Sequence, residues 1–281
     1  MPHFSVTDWD DAYSNGAHIA GGARWPAAWD EPAKAFRERL SRQGRARLDL
    51  AYGPAPRNRF DLFLPEAAPR GLAVFVHGGY WMETDKKTWS HLAAGPLAHG
   101  YAVALPSYTL CPDTRISGIV REVAAAVEAA AAMVSGPLML SGHSAGGQLA
   151  CRMACAASPL AAAVQARLRH VVSISGLHDL RPLLRTSMNA RLRLDQAEAA
   201  AESPALLEPV RGARLTCWAG AAERAEFVRQ NALLANIWTG LGAAAQAVLE
   251  PDRHHYSIVD GLTDPAHPLT LALVAEGPAP A

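Results

Sequence analysis

Six short runs in this chain are almost wholly apolar, and they constrain the fold more than any other feature: residues 72–76, 102–105, 138–140, 171–174, 215–218 and 247–249. A strand that shows no polar alternation is buried on both faces, as in a parallel sheet covered by helices. Helix-like segments separate several of these runs, at 116–134, 146–157 and 223–241. Strand and helix alternate from residue 72 onward, which predicts an α/β fold with a mostly parallel central sheet and helices on both faces. Two earlier runs, 47–52 and 59–64, alternate polar and apolar residues around a turn at 53–58. They read as half-exposed antiparallel strands. The length suits a single domain spanning residues 1–281. Residues 1–45 read as an N-terminal arm with one helix around 32–42. Residues 177–210, with Pro182, Pro204 and Pro209, read as a small cap insertion over the site, and the tail 277–281 is expected to fray.

Charge narrows the function classes. Lys plus Arg number 26 and Asp plus Glu number 26, a formal net charge of zero. That balance argues against nucleic acid as a partner. The most apolar long stretch, 120–140, is broken by Arg121, Glu122, Glu128, Gly136 and Pro137, so it does not predict a membrane span. The first residues include acidic side chains and no apolar core of a secretory signal, so a cytoplasmic protein is expected. Cys111, Cys151, Cys155 and Cys217 have no CxxC spacing, and no HExxH occurs. No disulfide framework, metal or other cofactor is expected. The expected partner is a small-molecule substrate, with a homodimer left open.

Gly142-His143-Ser144-Ala145-Gly146 follows one of the apolar runs and opens a helical segment. A G-x-S-x-G pattern on a strand–turn–helix is the context of a nucleophile elbow, with Ser144 exposed on a tight, strained turn. His77-Gly78-Gly79-Tyr80-Trp81 follows the run 72–76. Glycines there let backbone N–H groups face a bound oxyanion, so the amides of Gly78 or Gly79 and of Ala145 are the candidate donors. His77 reads as structural. A serine hydroxyl needs a base, and in such folds the acid and then the histidine follow the nucleophile in the chain. His254, His255 and His267 lie after the last strand run, and His267 reads as solvated. For the acid, Glu223 is the first carboxylate after the run 215–218, with Glu226 and Asp179 as alternatives.

These segments together resemble the serine-dependent kynurenine formamidase (arylformamidase) branch of the α/β hydrolases. His77-Gly78-Gly79-Tyr80-Trp81 resembles its HGGxW signature, and Gly142 to Leu149 resembles its elbow. Glu223 to Gln230 resembles its acid loop, and His255-Tyr256-Ser257-Ile258 resembles the segment around its catalytic histidine. The resemblance implies an α/β-hydrolase fold with Glu223 as the acid and His255 as the base, no cofactor, and hydrolysis of N-formylkynurenine. Two departures stand out: Glu at the acid position where Asp is usual, and Ser257 where Asp is common. Tyr80, Trp81 and Tyr108 are candidates for an aromatic pocket wall. A general carboxylesterase would use the same residues, and a non-catalytic binding protein that kept the fold is the reading outside enzymes.

Overall fold

In the computed structural model, which describes residues 5–275, eight strands form one sheet in the order β1-β2-β4-β3-β5-β6-β7-β8. The strands are β1 (Ala46–Ala51), β2 (Arg59–Phe63), β3 (Gly71–Val76), β4 (Tyr101–Pro106), β5 (Leu138–His143), β6 (Leu168–Ile174), β7 (Arg214–Gly220) and β8 (Ala244–Glu250). The β1–β2 and β2–β4 pairings are antiparallel, and every other pairing is parallel. The apolar runs are therefore parallel strands, and the two alternating runs form the antiparallel edge. Two runs depart from expectation: β2, expected to be half exposed, is buried because it lies inside the sheet between β1 and β4, and β8 is more exposed than a fully covered strand. β8 has only β7 beside it and is half exposed, with Leu249 47% accessible, because an edge strand lacks cover on one side.

The helices are α1 (Trp9–Tyr13), α2 (Trp25–Arg42), α3 (Ala94–Ala98), α4 (Ile116–Met133), α5 (Ala145–Met153), α6 (Ala162–Gln165), α7 (Asn189–Leu192), α8 (Gln196–Ala201), α9 (Ala225–Gly240) and α10 (Pro268–Val274). They cover both faces of the sheet. Alternate residues of β3 show how: Leu72, Val74 and Val76 join a core shared with α4, α5 and α9, whereas Ala73 and Phe75 join one shared with α2, α3 and α10. Period-two side-chain direction along a strand produces this division.

The arm is more structured than its sequence pattern suggests. α2 starts at Trp25, with Pro26 in its first turn, and buries Trp29, Ala33, Phe36 and Leu40. That i, i+4, i+7, i+11 spacing makes a single apolar stripe. The insertion between β6 and β7 consists of α7, α8 and single 3-10 turns. It packs by its buried Leu183, Leu192, Leu194 and Ala199 into the core of α4, α5 and α9. The expected tail, 277–281, lies outside the described residues.

Candidate active site

Five loops converge at the carboxyl ends of the parallel strands. The first carries Ser144, at the junction of β5 and α5, with φ 55° and ψ −118°. Positive φ is costly for a residue with a Cβ, and it persists only where the surroundings enforce it. Here they do. Ser144 N–H donates to Ile174 O at 2.8 Å, tying the turn to β6. A Cβ on Gly142 would lie 2.1 Å from Gly146 O, and one on Gly146 would lie 2.0 Å from Val76 O. The two glycines are thus a steric condition of the turn.

The second loop follows β3. A Cβ on Gly78 would fall 3.1 Å from Ser144 Cβ, so this glycine permits the loop to approach the serine. Gly79, Tyr80 and Trp81 all have positive φ, at 107°, 54° and 59°. Gly79 O accepts from the amides of Met82 and Glu83, which closes the loop on itself. The amides of Gly78, Gly79 and Ala145 donate to no backbone acceptor among the described residues. His77 lies beneath, stacked on Tyr108 with ring centroids 4.2 Å apart. Its Nδ1 lies 2.8 Å from Gly78 O, and burial lowers its pKa to about 4, so it is a neutral donor to that carbonyl.

Two of the three candidate wall residues sit elsewhere. Trp81 is fully buried, and its Nε1 donates to Gln148 Oε1 at 3.0 Å. Tyr108 is also fully buried, and its hydroxyl donates to His77 O at 3.0 Å. Large rings with a polar tip belong in the core when the tip finds a partner there. These two brace the loop instead of facing the cleft, whereas Tyr80 does line it.

The remaining loops bring Glu223 and His255 together. His255 Nδ1 is 2.7 Å from Glu223 Oε2, and neither side chain is more than 4% accessible. Glu223 Oε1 accepts from Ser175 Oγ at 2.5 Å and from Gly220 N at 2.7 Å. A carboxylate so held can fix the imidazole tautomer and stabilise an imidazolium. Ser175, itself at φ 52°, was not singled out as a site residue, although a Ser-Gly pair ending a strand run was its visible signal. The alternative acids are committed elsewhere. Glu226 accepts from Tyr13 Oη at 2.7 Å and pairs with Arg229, and Asp179 pairs with Arg181 at 2.9 Å. His254 turns away, its ring edge-on to Trp25 and its Nδ1 accepting from the Tyr256 and Ser257 amides. His267 is not free in solvent: it caps α10 and lies 3.2 Å from Glu250.

His143, inside the elbow, lies between these parts. Its Nε2 donates to His255 O at 2.8 Å, and its ring is 4.6 Å from that of His255. Burial first, and the neighbouring imidazole second, hold its pKa well below the usual histidine range. It therefore stays neutral and adds no charge beside His255.

Ser144 and His255 open on one cleft of about 130 Å³. Its walls are aromatic: Tyr80, Trp89, Tyr256 and Trp29. Trp29 packs 4.6 Å from Trp89 and 5.1 Å from Tyr256, centroid to centroid. It belongs to α2, so the arm covers the cleft, and no residue of 177–210 lines it. The sequence-based cap is corrected accordingly. The insertion has its own apolar face to bury, and it buries it against the core beside α5. Among the described residues no cluster of three or more His, Cys, Asp or Glu could hold a metal, and no helix is long and apolar enough to cross a membrane.

The fold and this site define an α/β-hydrolase, and relatives agree. The family model BD-FAE matches residues 60–210, more than half of the chain, and the chain belongs to that family. It is similar to a kynurenine formamidase of Danio rerio, 29% identical over 240 residues, covering 81% of this chain and 80% of the relative. A kynurenine formamidase of Drosophila melanogaster is 28% identical over 243 residues, covering 80% and 79%. A crystal structure from silicibacter sp. tm1040, provisionally assigned as a thioesterase, superposes with a TM-score of 0.91 at 49% identity, covering 96% of this chain and 100% of that one. Esterase B of Lactobacillus rhamnosis, inhibited by a tributyrin phosphonate, shares the fold at TM-score 0.66 and 18% identity, covering 89% and 91%. The protein is a hydrolase of the α/β-hydrolase type, related to the arylformamidases.

Proposed function

We propose that this protein is a serine hydrolase that releases a formyl or short acyl group from an aromatic amine or ester, with N-formylkynurenine-like formamides as substrates. One observation carries the reading: the Glu223–His255 hydrogen bond of 2.7 Å opens on the same aromatic cleft as the strained Ser144. His255 takes the proton of Ser144, and the hydroxyl oxygen attacks the carbonyl carbon. The amides of Gly78 or Gly79 and of Ala145 hold the oxyanion, each donor being worth about 100- to 1000-fold in rate. His255 then protonates the leaving amine or alcohol. Water, deprotonated by His255, attacks the acyl-enzyme and frees formate or the short acid. Tyr80, Trp29, Trp89 and Tyr256 supply flat faces for an aromatic leaving group, with stacking worth about 1 kcal/mol beyond burial. The kynurenine formamidase relatives support the formamide substrate.

A second reading, a thioesterase, is favoured by the relative at 49% identity, and a carboxylesterase would use the same catalytic residues. Steady-state kinetics on N-formylkynurenine, p-nitrophenyl acetate and an aryl thioester separates the two. The formamidase reading expects the highest kcat/KM on the formamide. A higher value on either ester or thioester, with negligible formamide turnover, overturns it.

A further inference from the structure

A shallow groove of about 450 Å³ opens beside the cleft and shares Asp30, Thr84 and Thr88 with it. Its charge is unlike that of the chain as a whole. Lys34 and Arg37 come from α2, Lys87 from the turn after the Gly78–Gly79 loop, and Arg57 from the β1–β2 turn. Facing them are two carboxylates, Asp30 and Asp85. Counting these side chains, four positive and two negative, leaves a surplus of two positive charges in a protein whose total is zero.

That surplus is not compensated by ion pairing. None of the four cations has a carboxylate within salt-bridge distance among the described residues. Arg57 donates to Tyr108 O at 2.7 Å and Thr84 O at 2.6 Å, and Arg37 donates to Lys87 O and to Ser90 Oγ. Those bonds satisfy N–H groups and fix the two guanidinium planes, but a carbonyl or hydroxyl carries no charge to neutralise them. Asp85 spends one carboxylate oxygen on the Lys87 amide, capping the turn. Lys34 and Lys87 are exposed with their ammonium groups free of carboxylates. The cleft itself has no Lys or Arg in its lining, so the positive charge lies only in the extension.

Resting on the serine-hydrolase reading, we propose that this groove is a subsite for an anionic terminus, a carboxylate or a phosphate monoester, at the end of the substrate distal to the scissile carbonyl. The aromatic body occupies the cleft, and its tail passes Thr84 and Thr88 to reach Lys34 and Lys87. Asp30, at the junction, disfavours an anion placed too near Ser144, so the tail must be long enough to clear it. A net surplus of one charge sign around a groove raises both the local concentration and the encounter rate of opposite charge, and the gain falls with ionic strength.

The test uses aryl acetates that differ only in a terminal group placed several methylenes from the ring: carboxylate, phosphate, neutral carboxamide or trimethylammonium. At low ionic strength, kcat/KM is expected to rank anionic over neutral over cationic, with about tenfold between the anionic and neutral substrates. Carboxylate against phosphate tells which anion the groove takes. The double variant Lys34→Glu/Lys87→Glu, both positions exposed, is expected to erase or invert that ranking while leaving the neutral substrate unchanged. Raising salt should have the same levelling effect. Equal kcat/KM across the series, or a ranking that survives the double variant, overturns the subsite while leaving the hydrolase reading intact. Tryptophan fluorescence titration with the corresponding non-hydrolysable aryl ethers reads the same ranking as Kd. A subsite that binds anions and an enzyme that turns over no ester are thereby told apart.

Discussion

The two walls of the cleft are built on different principles. One is made at the strand ends, from Ser144, the Gly78–Gly79 loop, Glu223 and His255. There the backbone itself dictates the residue: a Cβ at 142 or 146 would strike a carbonyl at about 2 Å, and one at 78 would crowd Ser144. The other wall is α2, whose Trp29 leans on Trp89 and Tyr256. Nothing about that contact requires a special backbone angle. It is ordinary aromatic packing by an amphipathic helix. The first wall should govern chemistry and the second binding, and that division can be attacked experimentally.

The largest expected effect is on the strand-end wall. Glu223→Gln keeps the shape but offers no negative charge and destabilises the required tautomer, and a loss of kcat of about 10,000-fold is expected, with KM little changed. Steady-state kinetics on the best substrate reads this. A loss under tenfold would move the acid role to another carboxylate.

Next comes acid stability, which the same wall should limit. His77 is buried with its pKa lowered to about 4, and burial and the neighbouring His255 hold His143 well below the usual range. The unfolded chain takes up those protons near pH 6.5, so between about pH 6.5 and 4 it binds more protons than the folded one. Stability from these groups is present above pH 6.5 and is lost as pH falls through that window, by up to about 1.4 kcal/mol per pH unit for each. Tm measured against pH should fall steadily below pH 6.5. His91 and His170 (each about 4) and His178 (about 3) act in the same direction. A flat Tm from pH 7 to 5 would show that these imidazoles are not held neutral.

The smallest expected effect is on the arm. Trp29→Ala removes one face of the cleft, and KM for an aromatic substrate should rise up to about tenfold while kcat stays within twofold. A fall in kcat with unchanged KM would mean that the arm takes part in the chemistry.

The same contrast explains what the sequence made legible. Parallel strands, the elbow and the Gly78–Gly79 loop are visible because steric law restricts their residues to a few types. The acid was harder. Glu223, Glu226 and Asp179 are interchangeable by composition, and only the fold shows Glu226 turned to Tyr13 and Arg229, and Asp179 to Arg181. Trp81 sits in a motif yet faces the core, at the end of a run of positive φ that sends neighbouring side chains to different sides of the loop, and Tyr108, after β4, is buried where its hydroxyl finds His77 O. The proline-broken insertion 177–210 suggests a cap, yet it buries its own apolar face against the core beside α5. The true wall, Trp29, belongs to α2, which the sequence suggests only around 32–42 but which starts at Trp25. Ser175 shows only a Ser-Gly pair at a strand end, and its role depends on Glu223, 48 residues away.

The central claim is that Ser144 is a nucleophile activated by His255. Fluorophosphonate labelling followed by peptide mass spectrometry tests it directly. The account predicts a single stoichiometric adduct on Ser144 with parallel loss of turnover, and no adduct in Ser144→Ala or at comparable rate in His255→Ala. Turnover retained by Ser144→Ala, or labelling at another serine that abolishes activity, would contradict it.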